Sequence, residues 1–160
     1  MAGRFEYRQA EEVAAAFARQ GARFLFLGKS GAILLGFPDT TQDADLFLKK
    51  SPENGRAVLA ALEALGFPLD GTQREQILRG KDFVQIRNGP FDLDLVFAPD
   101  GIETFEEAER RAVIVEGIPV CHPDDIIRSK EAAGRPKDLE SLPRLRAFRD
   151  WWKEKSSRGG

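Results

Sequence analysis

Two pairs of aspartates lie inside segments that otherwise read as apolar strands, and they constrain this chain more than any other feature. The first pair, Asp43 and Asp45, belongs to the stretch from Phe24 to Leu48, where an apolar strand, a Gly-Lys-Ser turn and a short helix precede the acidic strand. The second pair, Asp92 and Asp94, lies within the strand pattern FDLDLVF. Because residues two positions apart point to the same face of a strand, each pair sets its carboxylates side by side. Aspartate is a poor strand residue, so two such pairs need an explanation.

Two interpretations account for these acidic pairs. In the simpler one, the aspartates form a solvated outer face of the sheet. In the other, carboxylates from neighbouring strands converge, and a divalent cation relieves their mutual repulsion. The turn Gly28-Lys29-Ser30 favours the second interpretation, because N–H groups and a hydroxyl at a helix start bind phosphate. The turn is not a Walker A loop, since Arg23 stands where that loop needs a glycine. The pattern therefore indicates a site for a metal ion and a nucleoside triphosphate.

The composition excludes several classes of protein. The chain has 160 residues, of which 42% are apolar and 31% charged, as expected for one globular domain with its own core. A net charge of −2 gives no general attraction to nucleic acid or anionic membranes, and no apolar run approaches the length of a membrane span. One cysteine and one histidine exclude a disulfide framework and leave few ligands for zinc. We expect a cytoplasmic protein with a single domain over residues 1–155 and a disordered tail over residues 156–160.

Periodicity and turn signals predict an α/β (α+β) chain. Helices are expected over residues 7–20, 31–36, 52–65, 102–111 and 123–133, with a weaker turn at 73–78 and a C-terminal helical region from 136 that is broken or kinked near Pro143. Strands are expected over residues 23–27, 44–48, 83–87, 91–97, 112–115 and 118–121. Asn88-Gly89 and Glu116-Gly117 predict two hairpins. The order of these elements predicts a mixed β-sheet with helices packed mainly on one face and further helices at the C-terminus.

The acidic strands and the glycine turn together resemble the signature of the polymerase-β-type nucleotidyltransferase superfamily. In that signature a Gly-Gly or Gly-Ser turn is followed by Asp-x-Asp and then by a third carboxylate on a later strand. The matching segments here are Gly28-Lys29-Ser30, Asp43-Ala44-Asp45 and Leu93-Asp94-Leu95-Val96. Residues 122–139 are also similar to a helix–turn region of small bacterial members, which include toxin and abortive-infection nucleotidyltransferases. The resemblance covers residues 22–145 and implies a nucleotidyltransferase-like fold.

The resemblance implies that three carboxylates hold metal and act in catalysis. Asp43 and Asp45 would hold two Mg²⁺ or Mn²⁺ ions. Asp94 would join one of these ions and help to activate the attacking hydroxyl. We prefer Asp94 to Asp92 as this third carboxylate because of its place in the matching segment, and the choice between them stays open.

The resemblance also implies which residues bind the nucleotide. The backbone around Gly28 and the Ser30 hydroxyl would cradle the β- and γ-phosphates. Lys130 either faces the phosphates or lies in solvent. Two positions depart from the family pattern: Lys29 replaces a small residue and either crowds the phosphates or pairs with them, and Asp39 stands where relatives commonly carry arginine.

The sequence thus supports one leading function and two alternatives. The leading hypothesis is a metal-dependent nucleotidyltransferase that moves a nucleoside monophosphate from a nucleoside triphosphate to a hydroxyl on RNA, such as tRNA, or on a protein, and releases pyrophosphate. The first alternative is a catalytically impaired nucleotide-binding module of the same fold. The second is a toxin–antitoxin subunit that binds an antitoxin partner through Phe148, Trp151 and Trp152.

Overall fold

A six-stranded mixed sheet forms the centre of the protein in a computed structural model that describes residues 4–158. In chain order the strands are β1 (Phe24–Leu27), β2 (Asp43–Leu48), β3 (Phe83–Ile86), β4 (Asp92–Val96), β5 (Val113–Val115) and β6 (Ile118–Val120). Their order across the sheet is β3-β4-β2-β1-β6-β5. The pairs β2–β4 and β1–β6 are parallel, and the other neighbours are antiparallel. The predicted mixed sheet is therefore confirmed.

Seven helices surround the sheet within residues 4–158, and local capping signals mark ends of two of them. They are α1 (Tyr7–Arg19), α2 (Gly28–Leu34), α3 (Pro52–Ala64), α4 (Gly71–Arg79), α5 (Phe105–Arg111), α6 (Pro123–Ala133) and α7 (Pro136–Arg158). At the start of α3, the Ser51 side chain accepts a hydrogen bond from the Asn54 N–H. At the end of α6, Gly134 adopts the left-handed conformation with φ of 63°.

The helices cover both faces of the sheet rather than mainly one. Phe26 and Leu46 point to the face that packs against α1, α3 and α4. Leu25, Leu27 and Phe47 point to the opposite face, where they pack against α2, α5, α6 and α7. The prediction of one main face was too narrow, because β1 is apolar at every position and so needs cover on both sides.

Three local predictions need correction. Helix α2 begins at Gly28 instead of residue 31, directly after β1. The predicted break near Pro143 does not occur, since helix α7 continues through this residue, with the buried Leu142 and Leu145 beside it. The first hairpin has a longer turn than two residues, since Ile86 pairs with Leu93. The second hairpin has the predicted two-residue turn, with Val115 opposite Ile118 and positive φ at both turn residues.

Part of the predicted disordered tail is helical. Helix α7 extends to Arg158, whose side chain pairs with Glu154 one turn earlier, so residues 156–158 are helical. Residues 159–160 lie outside the described part of the chain. Among the helices of residues 4–158, none is both long enough and apolar enough to cross a membrane.

Candidate active site

The sheet register places acidic residues from two strands next to each other. In the parallel pair β2–β4, Asp45 lies opposite Asp94 and Asp43 lies opposite Asp92. Asp43, Asp45 and Asp94 line one cleft of about 680 Å³, whereas Asp92 is not part of the lining formed by residues 4–158. Asp94 is only 7% exposed. The structure therefore brings the three predicted carboxylates together on one side of the sheet.

The glycine turn fits tightly against this acidic strand. Gly28 has φ of +63°, and a Cβ atom built there would lie 2.3 Å from Oδ2 of Asp45. A side chain at this position would therefore be strained and would displace the Asp45 carboxylate. Only glycine allows the carboxylate to lie against the backbone of the turn.

Ser30 links the turn to β2 instead of lining the cleft. Its hydroxyl donates to the carbonyl of Leu27 at 2.9 Å and accepts from the N–H of Asp45 at 3.0 Å. The residue is fully buried. With both partners inside the protein, this hydroxyl has no path to a phosphate, and the implied phosphate contact of Ser30 is replaced by a positioning role.

The two departures from the family pattern neutralise each other. Lys29, which lines the cleft, forms an ion pair with Asp39 at 3.4 Å. Asp39 also pairs with Arg144 at 3.4 Å. The N–H of Thr40, followed by Lys29 and Arg144, lowers the pKa of Asp39 even though burial opposes the shift. The added negative charge at Asp39 is therefore compensated.

Lys130 faces the cleft rather than the solvent. Its side chain is 15% exposed, and its Nζ lies 3.4 Å from Oδ1 of the buried Asp138. Arg135 donates to the other oxygen of Asp138 at 2.7 Å. Burial raises the pKa of Asp138, but the Arg135 hydrogen bond and the Lys130 charge outweigh this effect and lower the pKa overall. Asp138 thus holds two cations at the wall opposite the carboxylates.

Arg87 is a cleft residue that sequence reasoning missed. Its Nη1 lies 3.1 Å from Oδ1 of Asp94, and its Nε lies 3.9 Å from Oδ2 of Asp92. The sequence position of Arg87 could have indicated this role, because it comes just before the Asn88 turn of a hairpin whose second strand is acidic. An arginine at the end of the first strand of a hairpin lies near the start of the second strand. Only the register shows which aspartate its side chain reaches.

The electrostatics of Asp45 and Asp94 fit a divalent cation. Burial, the charge of Asp94 and the charge of Asp43 raise the pKa of Asp45 to about 8, against the opposing effect of Lys130. Burial also raises the pKa of Asp94, against the opposing effect of Arg87. Two adjacent carboxylates that keep a proton between them would accept a hard cation in its place. In residues 4–158 no three acidic, histidine or cysteine side chains lie close enough together to form a complete metal site, although Asp43, Asp45 and Asp94 line the same cleft.

Comparison with known proteins supports the architecture. No family model matches the chain, and no curated protein matches it in sequence. Among solved structures it is similar to a Thermotoga maritima protein described as a candidate nucleotidyltransferase, with a TM-score of 0.50 and 12% identity over 92% of each chain. The two proteins share a fold. At this identity the likeness carries no information about substrate or metal.

The carboxylate pair predicts how stability depends on pH. Between about pH 4 and pH 8 the folded state holds a proton on Asp45 that the unfolded state has released, so stability should fall as pH rises through this range. We expect the Tm of the protein in EDTA, minus that of Asp45→Asn in EDTA, to decrease steadily from pH 4 to pH 8. Differential scanning fluorimetry would measure both curves. A difference that stays constant or grows with pH would contradict the assigned burial.

Proposed function

We propose that the protein is a nucleotidyltransferase, which transfers a nucleoside monophosphate from a nucleoside triphosphate to a hydroxyl acceptor and releases pyrophosphate. The observation that carries the proposal is the in-register pair Asp45–Asp94 beside Gly28, in a cleft of about 680 Å³. A cleft of this size accommodates a nucleotide. The shared fold with the Thermotoga protein, itself described as a candidate nucleotidyltransferase, agrees with this activity.

The carboxylates have the chemistry of a magnesium or manganese site. Asp45 and Asp94, with Asp43 beside them, would hold one or two such ions, since oxygen donors are what hard cations prefer. When bound, the cation neutralises the carboxylates and the phosphate charge and stabilises the transition state. In this proposal an oxygen of Asp94 would accept the proton of the attacking hydroxyl.

Two further cleft residues contribute to nucleotide binding, and the buried Ser30 positions the strand beside them. Gly28 has no side chain of its own, so the Asp45 carboxylate lies against the backbone of the turn, where the nucleotide phosphates would bind. Lys130 presents a positive charge from the opposite wall, where Asp138 holds its ammonium group. Ser30 keeps β2 aligned with the turn through its bond to the Asp45 N–H. We propose an RNA end or a protein side chain as the acceptor.

Transfer of label is the direct test of this function. We expect incubation with each α-³²P-labelled nucleoside triphosphate, Mg²⁺ or Mn²⁺, and either total RNA or cell lysate to label RNA or protein. Asp45→Asn and Asp94→Asn should each lose about 10³-fold or more in rate. Asp150→Asn changes an exposed aspartate on α7 and should leave the rate unchanged. Failure of the wild type to transfer any of the four nucleotides would reject the proposal.

A second candidate is a binding module of the same fold without turnover. Two observations favour it: Lys29 is paired with Asp39, and Arg87 is paired with Asp94. Thermal shift separates the two functions. The enzyme should gain stability mainly from nucleotide and Mg²⁺ together and lose this gain in Asp45→Asn, whereas a metal-independent binder should respond to nucleotide alone.

A toxin–antitoxin role would need a contact surface on α7. Trp151 is 51% exposed and packs beside Phe148, with ring centroids 5.9 Å apart. Phe148 itself is buried against Phe37, and Trp152 packs on His122. The apolar surface proposed from the sequence is therefore reduced mainly to Trp151. Co-purification of a small partner that is lost in Trp151→Ala would support this role.

A further inference from the structure

Arg87 is the only residue outside the predicted site, within residues 4–158, that forms an ion pair with one of the three implicated carboxylates. The side chain of Arg87 is 38% exposed and that of Asp94 is 10% exposed, so the guanidinium reaches inward to a buried oxygen. It thereby takes the negative charge of Asp94 that a divalent cation would otherwise neutralise. A cation and the guanidinium compete for the same carboxylate.

The register places Arg87 at the same end of the sheet as the glycine turn. Arg87 lies just beyond Ile86, which pairs with Leu93 near the start of β4. In the neighbouring antiparallel pair, Leu27 lies opposite Asp45, so Gly28 lies near the start of β2. Because β2 and β4 are parallel, both starts are at one end of the sheet. A guanidinium that left Asp94 would stay within the phosphate-binding part of the cleft.

Three other cations that line the cleft are already paired with carboxylates. Lys29 forms an ion pair with Asp39, and Lys130 and Arg135 both contact Asp138. Release of Arg87 by a metal ion would therefore add a positive charge where a triphosphate needs one. A planar guanidinium also matches two phosphate oxygens better than an ammonium group does.

We propose that Arg87 is a nucleotide-binding residue that Asp94 holds in the free protein, and that it exchanges from Asp94 to the triphosphate when a divalent cation takes the carboxylate. This inference rests on the proposed function and adds a residue to it. Metal binding and nucleotide binding are then coupled, because the first event releases the ligand for the second. One substitution at Arg87 should accordingly change the two affinities in opposite directions.

The test measures both affinities in Arg87→Gln. Mn²⁺ binding without nucleotide is followed by electron paramagnetic resonance, and binding of an α,β-methylene nucleoside triphosphate at saturating Mn²⁺ is followed by calorimetry. We expect Mn²⁺ to bind about fivefold more tightly, because its competitor is gone. We expect the nucleotide analogue to bind at least about tenfold more weakly, because a charged hydrogen bond is lost. Neither readout requires turnover.

Two further variants make the result specific. Arg79→Gln removes an exposed arginine that pairs with Glu75 on α4, and both affinities should stay at wild-type values. Arg87→Lys keeps the charge but not the planar geometry, and it should bind the nucleotide analogue with intermediate affinity. Circular dichroism checks whether Arg87→Gln folds. If Arg87→Gln does not fold, the two affinities are compared in Arg87→Lys instead.

The outcomes distinguish failure of the arginine exchange from failure of the proposed function. If the wild type binds Mn²⁺ and the analogue but substitution of Arg87 weakens both or changes neither, the exchange is wrong and the proposed function stands. If the wild type and Asp45→Asn both fail to bind Mn²⁺, the metal-dependent function fails, and the exchange fails with it.

Discussion

Asp45→Asn is expected to lower nucleotidyl transfer by about 10³-fold or more while making the cation-free protein more stable at pH 8. Asp45 lies opposite Asp94, and burial raises its pKa to about 8, so its ionised form is unfavourable in the absence of a cation. Asparagine has nearly the same shape and no charge, which removes the repulsion and the metal ligand together. Transfer of label and differential scanning fluorimetry in EDTA measure the two effects.

Opposite signs in these two measurements identify a residue that serves function at the expense of stability. Asp150→Asn, on the exposed side of α7, should change neither quantity. If Asp45→Asn were active, or if it were both inactive and strongly destabilised, Asp45 would be a structural residue and the assigned role would be wrong.

Gly28→Ala is expected to reduce activity by at least about 100-fold and to destabilise the protein by about 2 kcal/mol or more. Two effects combine at this position: φ is +63°, and the new Cβ would lie 2.3 Å from Oδ2 of Asp45. Relief of the contact requires the Asp45 carboxylate to move away from the turn. Urea denaturation and the transfer assay measure the consequences.

Gly21→Ala is the matched control for this substitution. Gly21 has φ of +71°, and nothing lies within 4 Å of a Cβ placed there. It should therefore show the cost of backbone strain alone, about 1–2 kcal/mol, with unchanged activity per folded molecule. Equal activity in the two glycine variants would show that the turn does not position Asp45.

Several features of the fold could be predicted because they depend on short-range patterns. The two-residue turn at Glu116-Gly117 follows from residues that tolerate positive φ. The start of α3 follows from a capping serine followed by proline. Asn88-Gly89 misled the prediction, because Pro90 has no N–H for a tight hairpin pair and the turn widened.

Some features of the candidate site could likewise be predicted from short-range patterns, and others could not. Strand alternation alone predicts that the two carboxylates of each Asp-x-Asp pair lie on one face, since side chains two residues apart share a face. Ser30 could not be assigned correctly from sequence, because its role depends on β2 lying beside the turn, where the Asp45 N–H donates to its hydroxyl. The Lys29–Asp39 pair joins residues ten positions apart across α2 and its following loop, a contact that no periodicity describes.

The sequence by itself determined most of the helices and strands and the acidic pairs of β2 and β4, because backbone preference and side-chain alternation act over a few residues. Only the tertiary structure decided that Asp45 stands opposite Asp94, that Arg87 neutralises Asp94, and that helices cover both faces of the sheet. These outcomes depend on strand order and register, which are set by the packing of the whole core and by residues far apart in the chain.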